Sequence, residues 1–376
     1  MELPDLVCLS HLRWNFVFQR PQHLMSRFAR ERRVFFFEEP LPAEDDDVPR
    51  LDVRRTDEGV IVAVPQLPPR MALAESEQIQ SELLKALLRE HCVEHFVAWY
   101  WTPMALGYSA DLQPLAVAFD CMDELSLFRG ASPLLLEREA ELISRADVVF
   151  TGGMSLYEHK RALHPNVHGI PSSVDVEHFA AARAPQLDPA DQAGIPHPRL
   201  GFFGVIDERL DIELLRETAG VRPEWHWVML GPTAKIDPAE LPRASNIHWL
   251  GSRPYKELPR YLAGWDLGVM PFARNDSTRF ISPTKTPEFL AAGLPVVSTS
   301  IRDVVTPYGD HGLVCIADTP GRFVTCVESV LEKDRQTHLA RTDRFLASTS
   351  WDRTWARMKS LLDAATPLPR LSAPAA

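Results

Sequence analysis

The chain has 376 residues, of which 45% are hydrophobic and 24% are charged, and its formal net charge is -11 at a sequence pI near 5.6. This length suits two domains of ordinary size, each with its own hydrophobic core. The acidic balance disfavours a non-specific nucleic-acid binder, because such proteins carry an excess of positive charge.

The five cysteines are scattered, without a C-x-x-C pair or zinc-finger spacing. We interpret them as buried thiols in a reducing compartment: Cys8, Cys92, Cys121, Cys315 and Cys326. The first residues do not resemble a signal peptide, and no apolar run reaches the roughly 18 residues that a spanning helix needs. We therefore predict a cytoplasmic protein and leave peripheral contact with the inner face of the membrane open.

Short apolar runs recur along both halves of the chain. They are mostly continuous, as in strands that are buried on both faces of a parallel sheet. In the first half the predicted strands are Asp5–Ser10, Val34–Glu38, Val60–Pro65, Phe96–Trp101, Leu115–Asp120 and Asp147–Thr151. In the second half they are Leu200–Val205, Trp227–Gly231, Ile247–Leu250, Leu267–Pro271, Pro295–Thr299 and Leu313–Ile316.

Amphipathic stretches between these runs predict helices. Four are clear from their periodicity and their ends: Arg20–Glu31, Ser132–Ala146, Ser282–Ala292 and Trp351–Ala364. A serine and a proline open the second and third of them, and Gly293 follows the third, as is common at helix ends. The alternation of strands and helices predicts an α/β protein with doubly wound parallel sheets.

A proline-rich stretch with weak patterning divides the chain. We predict an N-terminal domain over residues 1–171, a linker over 172–198 and a C-terminal domain over 199–350. A helix over 351–366 follows, and the Pro/Ala-rich tail over 367–376 is predicted to be disordered.

The most informative motif begins at Phe280, where a loop leads into a helix that is predicted to start at Pro283. A helix N-terminus presents unpaired N–H groups and partial positive charge. Lys285 in the first turn is favourable there if an anion such as a diphosphate shares the site. Glu288, one turn later on the same face, could accept hydrogen bonds from a ribose diol. A solvated Lys–Glu pair explains the spacing equally well.

This motif resembles the donor-binding helix of retaining, group 1 glycosyltransferases. The shared pattern is S-P-x-K, then a glutamate, then A-x-G-x-P-V-V. Other segments are similar to further motifs of that family, in the same order: residues 170–179, 200–205, 246–262 and 266–272. The segment W-x-x-x-x-Q-R-P-Q-H from Trp14 to His23 is similar to bacterial members that make surface polysaccharides of the teichuronic-acid type.

The resemblance implies a GT-B fold, in which two Rossmann-like domains enclose the active-site cleft and the last helix crosses back to the first domain. It implies transfer of a sugar, with retention, from a nucleotide diphosphate sugar (UDP- or GDP-linked) to a hydroxyl of a glycan or lipid-linked acceptor, without another cofactor. Lys285 would bind the donor phosphates and Glu288 the ribose. The other donor-site candidates are Ser282, Thr284, Arg209, Arg279, Gly204, Pro232 and Arg253.

The chain departs from the family pattern in two places. Many members carry a further glutamate eight positions before Glu288, where this chain has Phe280. Members often have a histidine near the segment Asp120–Glu124, and this chain has none there. We predict Asp120 and Asp123 as catalytic together with Lys285, because these carboxylates could orient an acceptor hydroxyl or take its proton. They could equally cap the next helix.

The loop after the first predicted strand should face the cleft, because open α/β sheets bind ligands beyond the carboxyl ends of their strands. The predicted acceptor contacts are His11, Arg13, Trp14 and Arg20, with Gln19 and His23 as further candidates. Loop packing is the alternative for Trp14 and Phe16, and a helix-surface position is the alternative for His23.

The Asp45-Asp-Asp47 run fits the D-x-D pattern that holds Mn²⁺ or Mg²⁺ in glycosyltransferases of another fold. It lies in an acidic loop instead of at the end of an apolar strand, so we predict no metal site. Charge on the leaving group would then be neutralised by Lys285, nearby arginines and helix N-termini.

The sequence therefore predicts a glycosyltransferase that binds a nucleotide-sugar donor and a glycan or lipid-linked acceptor, and no nucleic acid. Two alternatives stay open. One is a nucleotide-sugar epimerase of the same fold, which would act on the donor alone. The other is a GT-B-like binding subunit that has lost catalysis.

Overall fold

The computed structural model describes residues 3–43 and 48–367. In this part of the chain the strands form two separate sheets with distinct hydrophobic cores, one in each half. The predicted α/β class with two parallel sheets is therefore confirmed. The Asp45–Asp47 run and tail residues 368–376 lie outside the described residues.

The N-terminal sheet is built almost entirely of parallel pairs. Its strands are β1 (Asp5–Ser10), β2 (Val34–Glu38), β3 (Leu41–Pro42), β4 (Arg50–Arg55), β5 (Ile61–Leu67), β6 (Phe96–Tyr100), β7 (Ala116–Cys121), β8 (Val148–Thr151) and β9 (Val167–Gly169). Their order is β3-β5-β2-β1-β6-β7-β8-β9, and β4 pairs antiparallel with β5. Every residue of β1 and β2 is buried, as continuous apolar runs predict.

The C-terminal sheet is parallel throughout. Its strands are β10 (Arg199–Phe203), β11 (His226–Leu230), β12 (Ile247–Gly251), β13 (Leu267–Met270), β14 (Val296–Ser298) and β15 (Val314–Ile316). Their order is β12-β11-β10-β13-β14-β15. The strand order reverses direction beside β10, and such a switch point is where doubly wound sheets open a ligand-binding crevice.

Helices connect the parallel strands and cover the sheets. They are α1 (Arg20–Phe28), α2 (Leu73–Glu90), α3 (Leu106–Ser109), α4 (Leu134–Arg145), α5 (Met154–Lys160), α6 (Val176–Ala180), α7 (Ile212–Val221), α8 (Leu258–Ala263), α9 (Lys285–Ala291), α10 (Arg302–Val304), α11 (Pro320–Leu331), α12 (Arg335–Leu346) and α13 (Trp351–Ala365). In the described ranges, none of them combines the length and apolar character needed to cross a bilayer.

Several elements differ from the sequence prediction. The short strands β3, β4 and β9 have exposed or half-exposed residues, so their sequences lack a continuous apolar run. The long helix α2 was also not among the four predicted helices. Helix α9 begins at Lys285, two residues after the predicted start, with Thr284 instead of Ser282 at its N-cap.

The segment over residues 172–198 joins the two sheets and is folded. It contains α6, and it buries Val174, Phe179 and Ile195 in the C-terminal core. The side chain of Gln192 is fully buried and accepts a 2.8 Å hydrogen bond from the indole of Trp265. The weak sequence pattern of this segment therefore reflects irregular backbone and not a lack of packing.

The chain returns to the N-terminal half through α13. Trp351, Met358 and Leu362 are buried in the same core as the N-terminal strands. Asp352 near the start of α13 accepts a 2.8 Å hydrogen bond from Arg27 of α1. The last helix thus packs on the first domain, and the chain passes between the two domains twice.

The interpretation of all five cysteines as buried thiols is wrong for three of them. Cys315 in β15 and Cys326 in α11 form a disulfide, with Cα atoms 6.0 Å apart, and Cys92 is exposed. Cys8 and Cys121 are buried thiols. The disulfide could not be expected from sequence, because no spacing motif marks the pair.

Replacing Met358 by alanine should lower the free energy of unfolding by about 2–5 kcal/mol, because it opens a cavity between α13 and the N-terminal sheet. Urea denaturation followed by circular dichroism measures this change. The control Leu136→Ala, at a position that is 63% exposed, should change stability by less than about 0.5 kcal/mol. Equal effects of the two substitutions would contradict the docking of α13.

Candidate functional site

A cleft of about 610 Å³ opens between the two domains. Its size lies within the roughly 300–1,000 Å³ that is usual for ligand sites. The C-terminal domain lines it with the loops after β10, β11 and β12 and with the start of α9, and the N-terminal domain contributes the loop after β1 and the segment after β7. These loops follow the carboxyl ends of parallel strands, the edge where such sheets bind ligands.

Two glycines bring bare backbone to the cleft. Gly204 follows β10 with φ +135°, and Gly231 follows β11 with φ +146°, so both occupy conformations that favour glycine. A Cβ atom at Gly204 would clash with the side chain of Lys285, and one at Gly231 would clash with the carbonyl oxygen of Gly204. The absence of both side chains lets Lys285 cross the backbone and keeps this part of the cleft open.

Helix α9 places Lys285 and Glu288 in the cleft lining, one turn apart. Burial and the nearby Arg209 guanidinium lower the pKa of Lys285 to about 8, against the opposing effect of Glu288. Burial raises the pKa of Glu288, and the Lys285 ammonium and the Thr284 hydroxyl offset part of that increase. Both pKa values are therefore shifted toward neutrality, which is typical of ionisable groups at functional sites.

Asp123 lines the opposite wall of the cleft and faces these cations. Burial raises the pKa of Asp123, although the positive charges of Arg209 and Lys285 work in the other direction. Arg209 is itself held by Asp207, with 2.6 Å between Nη2 and Oδ2, and lies 5.5 Å from the ring centre of Phe128. The two walls therefore bring a carboxylate and two cations together across the cleft.

Five other predicted donor-site residues also line the cleft: Ser282, Thr284, Gly204, Pro232 and Arg253. Arg253 is already engaged, because it pairs with Asp191 and donates a 2.5 Å hydrogen bond to the Tyr261 hydroxyl. Its guanidinium is thus a fixed part of the wall.

Arg279, a predicted phosphate ligand, is not among the residues that line the cleft. Arg279 is exposed and lies over the ring of Phe280, 5.1 Å from the ring centre. The neighbouring Arg274 is also exposed and pairs with Asp318 at 3.5 Å. Neither arginine lines the cleft.

Arg20 and Asp120 form a fully buried ion pair away from the cleft lining. Both Asp120 oxygens accept hydrogen bonds from Arg20, at 2.8 to 3.1 Å, and Oδ2 also accepts one from the Trp101 indole at 3.1 Å. Arg20 donates in addition to the carbonyl of Ile170 at 2.7 Å. The predicted catalytic role of Asp120 and acceptor contact of Arg20 are therefore corrected: this pair holds the framework.

Two further acceptor-side predictions, Arg13 and His11, do not reach the cleft lining. Arg13 binds Glu38 at 3.2 Å and the carbonyls of Glu39 and Pro40. Burial lowers the pKa of His11 to about 4, with Lys235 adding to the effect. Arg13 thus fastens the end of β2, and His11 is a neutral, half-buried group.

His23 is buried instead of lying on the surface of α1, where the alternative interpretation placed it. Its ring stacks on Trp351 of α13, with 4.4 Å between ring centres. Trp14 and Gln19 do line the cleft, and Trp14 is also packed against Phe36 at 5.2 Å. Trp14 therefore has the predicted loop packing and also lies in the cleft lining, and its contact with an acceptor stays a prediction.

Some cleft residues other than Tyr255 were not singled out from the sequence, and Phe18 is one of them. Phe18 and Tyr255 come from opposite domains and pack against each other in the lining, with ring centres 4.9 Å apart. Met122, Gly152 and Ser172 also line it. The sequence offered one signal for Phe18 as a cleft residue, which was the run of apolar side chains from Phe16 to Phe18 in the predicted cleft loop.

In the described part of the chain, no three His, Cys, Asp or Glu side chains are grouped so that they could hold a metal ion. The Asp45–Asp47 run, which fits the D-x-D pattern, lies outside that part.

Two parallel α/β domains with a cleft at the carboxyl ends of their strands define the GT-B class of glycosyltransferases. A family model described as glycosyl transferases group 1 matches residues 197–333. The chain is 31% identical over 288 residues to a Bacillus subtilis (strain 168) protein named as a teichuronic acid biosynthesis glycosyltransferase, TuaH, over 66% of this chain and 68% of that protein. The chain therefore belongs to the group 1 glycosyltransferases.

Solved structures share this fold over nearly the whole chain. Sucrose-phosphate synthase of Thermosynechococcus elongatus has a TM-score of 0.74 at 15% identity and covers 96% of this chain and 99% of its own. Starch synthase IV of Arabidopsis thaliana, bound to ADP and acarbose, has a TM-score of 0.66 at 11% identity and covers 97% of this chain and 100% of its own. A UDP-forming α,α-trehalose-phosphate synthase of Burkholderia xenovorans, in complex with glucose-6-phosphate, has a TM-score of 0.64 at 12% identity and covers 97% of this chain and 100% of its own.

These findings establish a glycosyltransferase. They support neither the nucleotide-sugar epimerase nor the non-catalytic binding subunit that the sequence left open.

Arg20→Met should lower the free energy of unfolding by about 3–5 kcal/mol, because it leaves the buried Asp120 carboxylate without its positively charged partner. The double variant Arg20→Met/Asp120→Leu should recover most of that loss, since it removes both charges. Asp123→Asn, in the cleft wall, serves as the comparison and should keep the wild-type stability to within about 1 kcal/mol. Urea titrations of the three variants check this, and a stable Arg20→Met protein would contradict the framework role.

Proposed function

We propose that this glycosyltransferase moves a sugar from a UDP- or GDP-linked donor to a hydroxyl of a glycan or lipid-linked acceptor, with retention and without a metal ion. The observation that carries the proposal is the placement of Lys285 and Glu288 in the cleft, beside the bare backbone of Gly204 and Gly231. In this arrangement Lys285 binds the diphosphate and Glu288 accepts hydrogen bonds from the ribose hydroxyls.

The structural neighbours support a nucleoside diphosphate as the leaving group. One of them binds ADP, and another is described as UDP-forming. Each shares the two-domain fold with this chain over nearly its full length. The base differs between them, so the choice between UDP and GDP rests on experiment.

The cleft offers a means of stabilising the leaving group. When the bond between the anomeric carbon and the donor phosphate oxygen breaks, negative charge develops on the diphosphate. The Lys285 ammonium and the Arg209 guanidinium both line the cleft and supply positive charge there. Fixed cations of this kind take the part that a metal ion plays in other phosphate chemistry.

The acceptor hydroxyl then forms the new bond to the anomeric carbon. For retention it attacks from the face that the diphosphate leaves, and a diphosphate oxygen receives its proton. Asp123, on the opposite wall, orients that hydroxyl or accepts the proton instead. Its carboxylate faces the Arg209 and Lys285 charges, so it lies toward the donor side of the cleft.

The relative that is named for teichuronic acid biosynthesis supports a cell-surface polysaccharide, or its lipid-linked precursor, as the acceptor. With such an acceptor the enzyme works in the cytoplasm at the inner face of the membrane. Contact with that surface would be peripheral.

Nucleotide binding should appear in a thermal-shift panel of UDP, GDP, ADP, CMP and dTDP, each with and without EDTA. A ligand at about a hundred times its Kd stabilises the folded state by about 2.7 kcal/mol. One diphosphate should raise Tm equally in both conditions, and Lys285→Met or Glu288→Gln should weaken its binding by about tenfold or more, as expected for loss of about 1.4 kcal/mol. Arg279→Ala, outside the cleft, is the matched control. A folded protein that no nucleotide stabilises, or that binds only without EDTA, would contradict the proposal.

Affinity for the nucleoside diphosphate should fall as the pH rises above about 8. Lys285, whose pKa is lowered to about 8, must be charged to bind the anion, and the bound diphosphate raises that pKa. At a pH below the pKa of Lys285 in the free protein, the ammonium is already present and affinity is constant. At a pH between that pKa and the higher pKa of the complex, binding takes up a proton, and affinity drops by up to about tenfold per pH unit. Calorimetric titration from about pH 7 to about pH 9.5 measures the slope, and Lys285→Met should flatten it. A wild-type affinity that does not change with pH over this range would contradict this role for Lys285.

A further inference from the structure

The two walls of the cleft differ in charge. The cations in its lining all belong to the C-terminal domain: Arg209, Arg253, Lys256 and Lys285. On the N-terminal wall, the charged side chain among the lining residues is a carboxylate, Asp123. An anionic group is therefore attracted to the first wall and repelled by the second.

The basic residues of the N-terminal domain that lie near this wall do not change this picture. Arg13 and Arg20 are committed to carboxylates and carbonyls outside the lining, and Arg27 pairs with Asp352. Burial lowers the pKa of His11 to about 4 and that of His23 to about 3, so both rings are neutral at physiological pH. None of these groups offers a positive charge to a ligand on this wall.

The same wall carries an exposed apolar segment, Phe16 to Phe18, which we call the aromatic strip. Phe16 is 57% exposed and Phe18 is 36% exposed, and both line the cleft. The Phe18 ring is braced by Tyr255 and His23, at 4.9 and 4.7 Å. Clustered exposed apolar side chains in a cleft mark a surface that a ligand covers.

A sugar ring matches this strip better than an anion does. One face of a pyranose presents C–H groups, which pack on aromatic rings and lose contact with water. All three residues of the strip line the cleft, which favours a sugar ring over a lipid surface as the group that covers them.

We propose that the sugar residue that receives the new bond is uncharged and packs its apolar face on the aromatic strip, with the reacting hydroxyl toward Asp123. This inference rests on the proposed function and narrows its acceptor. It separates this enzyme from its Burkholderia xenovorans structural neighbour, which is in complex with the phosphorylated sugar glucose-6-phosphate. It concerns the sugar at the reaction centre and not the rest of the polymer.

The test is saturation-transfer difference NMR on the full chain, recorded with and without UDP. The probes are methyl glycosides of glucose, galactose, mannose, rhamnose and the two common N-acetylhexosamines. They are compared with glucose-6-phosphate, mannose-6-phosphate and methyl glucuronide. Neutral glycosides should give signals, strongest for the protons of their apolar face, and the three anions should give none.

Phe16→Ala should weaken binding of the neutral glycoside by about tenfold or more, while UDP affinity stays within about twofold. Leu163→Ala is the matched control, because Leu163 is also 57% exposed but lies outside the cleft lining. Val17→Arg adds a cation to the N-terminal wall. It should allow glucose-6-phosphate to bind and should weaken the binding of the neutral sugars. Because Phe16 and Leu163 are exposed, the alanine variants should keep the wild-type Tm.

Preferential binding of the phosphosugars or the glucuronide to the wild type overturns the inference. So does a neutral-sugar signal that Phe16→Ala leaves unchanged, or the absence of any neutral-sugar signal from a protein that binds UDP. Failure of the proposed function looks different, because the wild type then binds no nucleoside diphosphate. The spectra recorded without UDP still decide the question of the aromatic strip in that case.

Discussion

The buried ion pair between Arg20 and Asp120 holds the places where the chain passes between the domains. Arg20 donates to the carbonyl of Ile170, which directly precedes the segment that leads into the C-terminal domain. Its Nη2 also lies 3.6 Å from the sulfur of Met358, in the helix that returns to the first domain. An unpartnered charge at this depth would cost several kcal/mol, so Arg20 and Asp120 must be kept or removed together.

The same pair fixes the N-terminal wall of the cleft. Asp120 belongs to β7, and three residues later Asp123 reaches the cleft lining. Arg20 opens α1, so the loop before it, with Trp14 and Phe18, is anchored at its far end by the pair. The two carboxylates of one short segment are thus placed differently: Asp120 is buried in an ion pair, and Asp123 lines the cleft.

The two walls of the cleft carry different kinds of side chains, with the cations of the lining on the C-terminal wall. A nucleoside diphosphate needs cations and bare backbone, and the C-terminal wall supplies Lys285 beside Gly204. The N-terminal wall carries the exposed Phe16 and the Asp123 carboxylate, which are the groups that the proposed sugar acceptor would contact.

The sequence by itself determined the two parallel sheets and the position of Lys285 and Glu288. Strands buried on both faces require continuous apolar runs, and two residues three apart on a helix share a face, so both features are local. The exposed strand β4 lacked such a run and was missed. The family, too, could be identified from motifs along the chain, and the comparisons confirmed it.

Only the tertiary structure decided which polar residues face the cleft. Arg13, Arg20 and Asp120 are of residue types that are common in functional sites, yet each is paired outside the cleft lining. Arg20 and Asp120 are 100 positions apart in the sequence. The disulfide between Cys315 and Cys326 likewise depends on how β15 and α11 pack. The physical reason is the same in each case: a charged or polar side chain takes the nearest partner that folding brings to it, and local sequence does not record that partner.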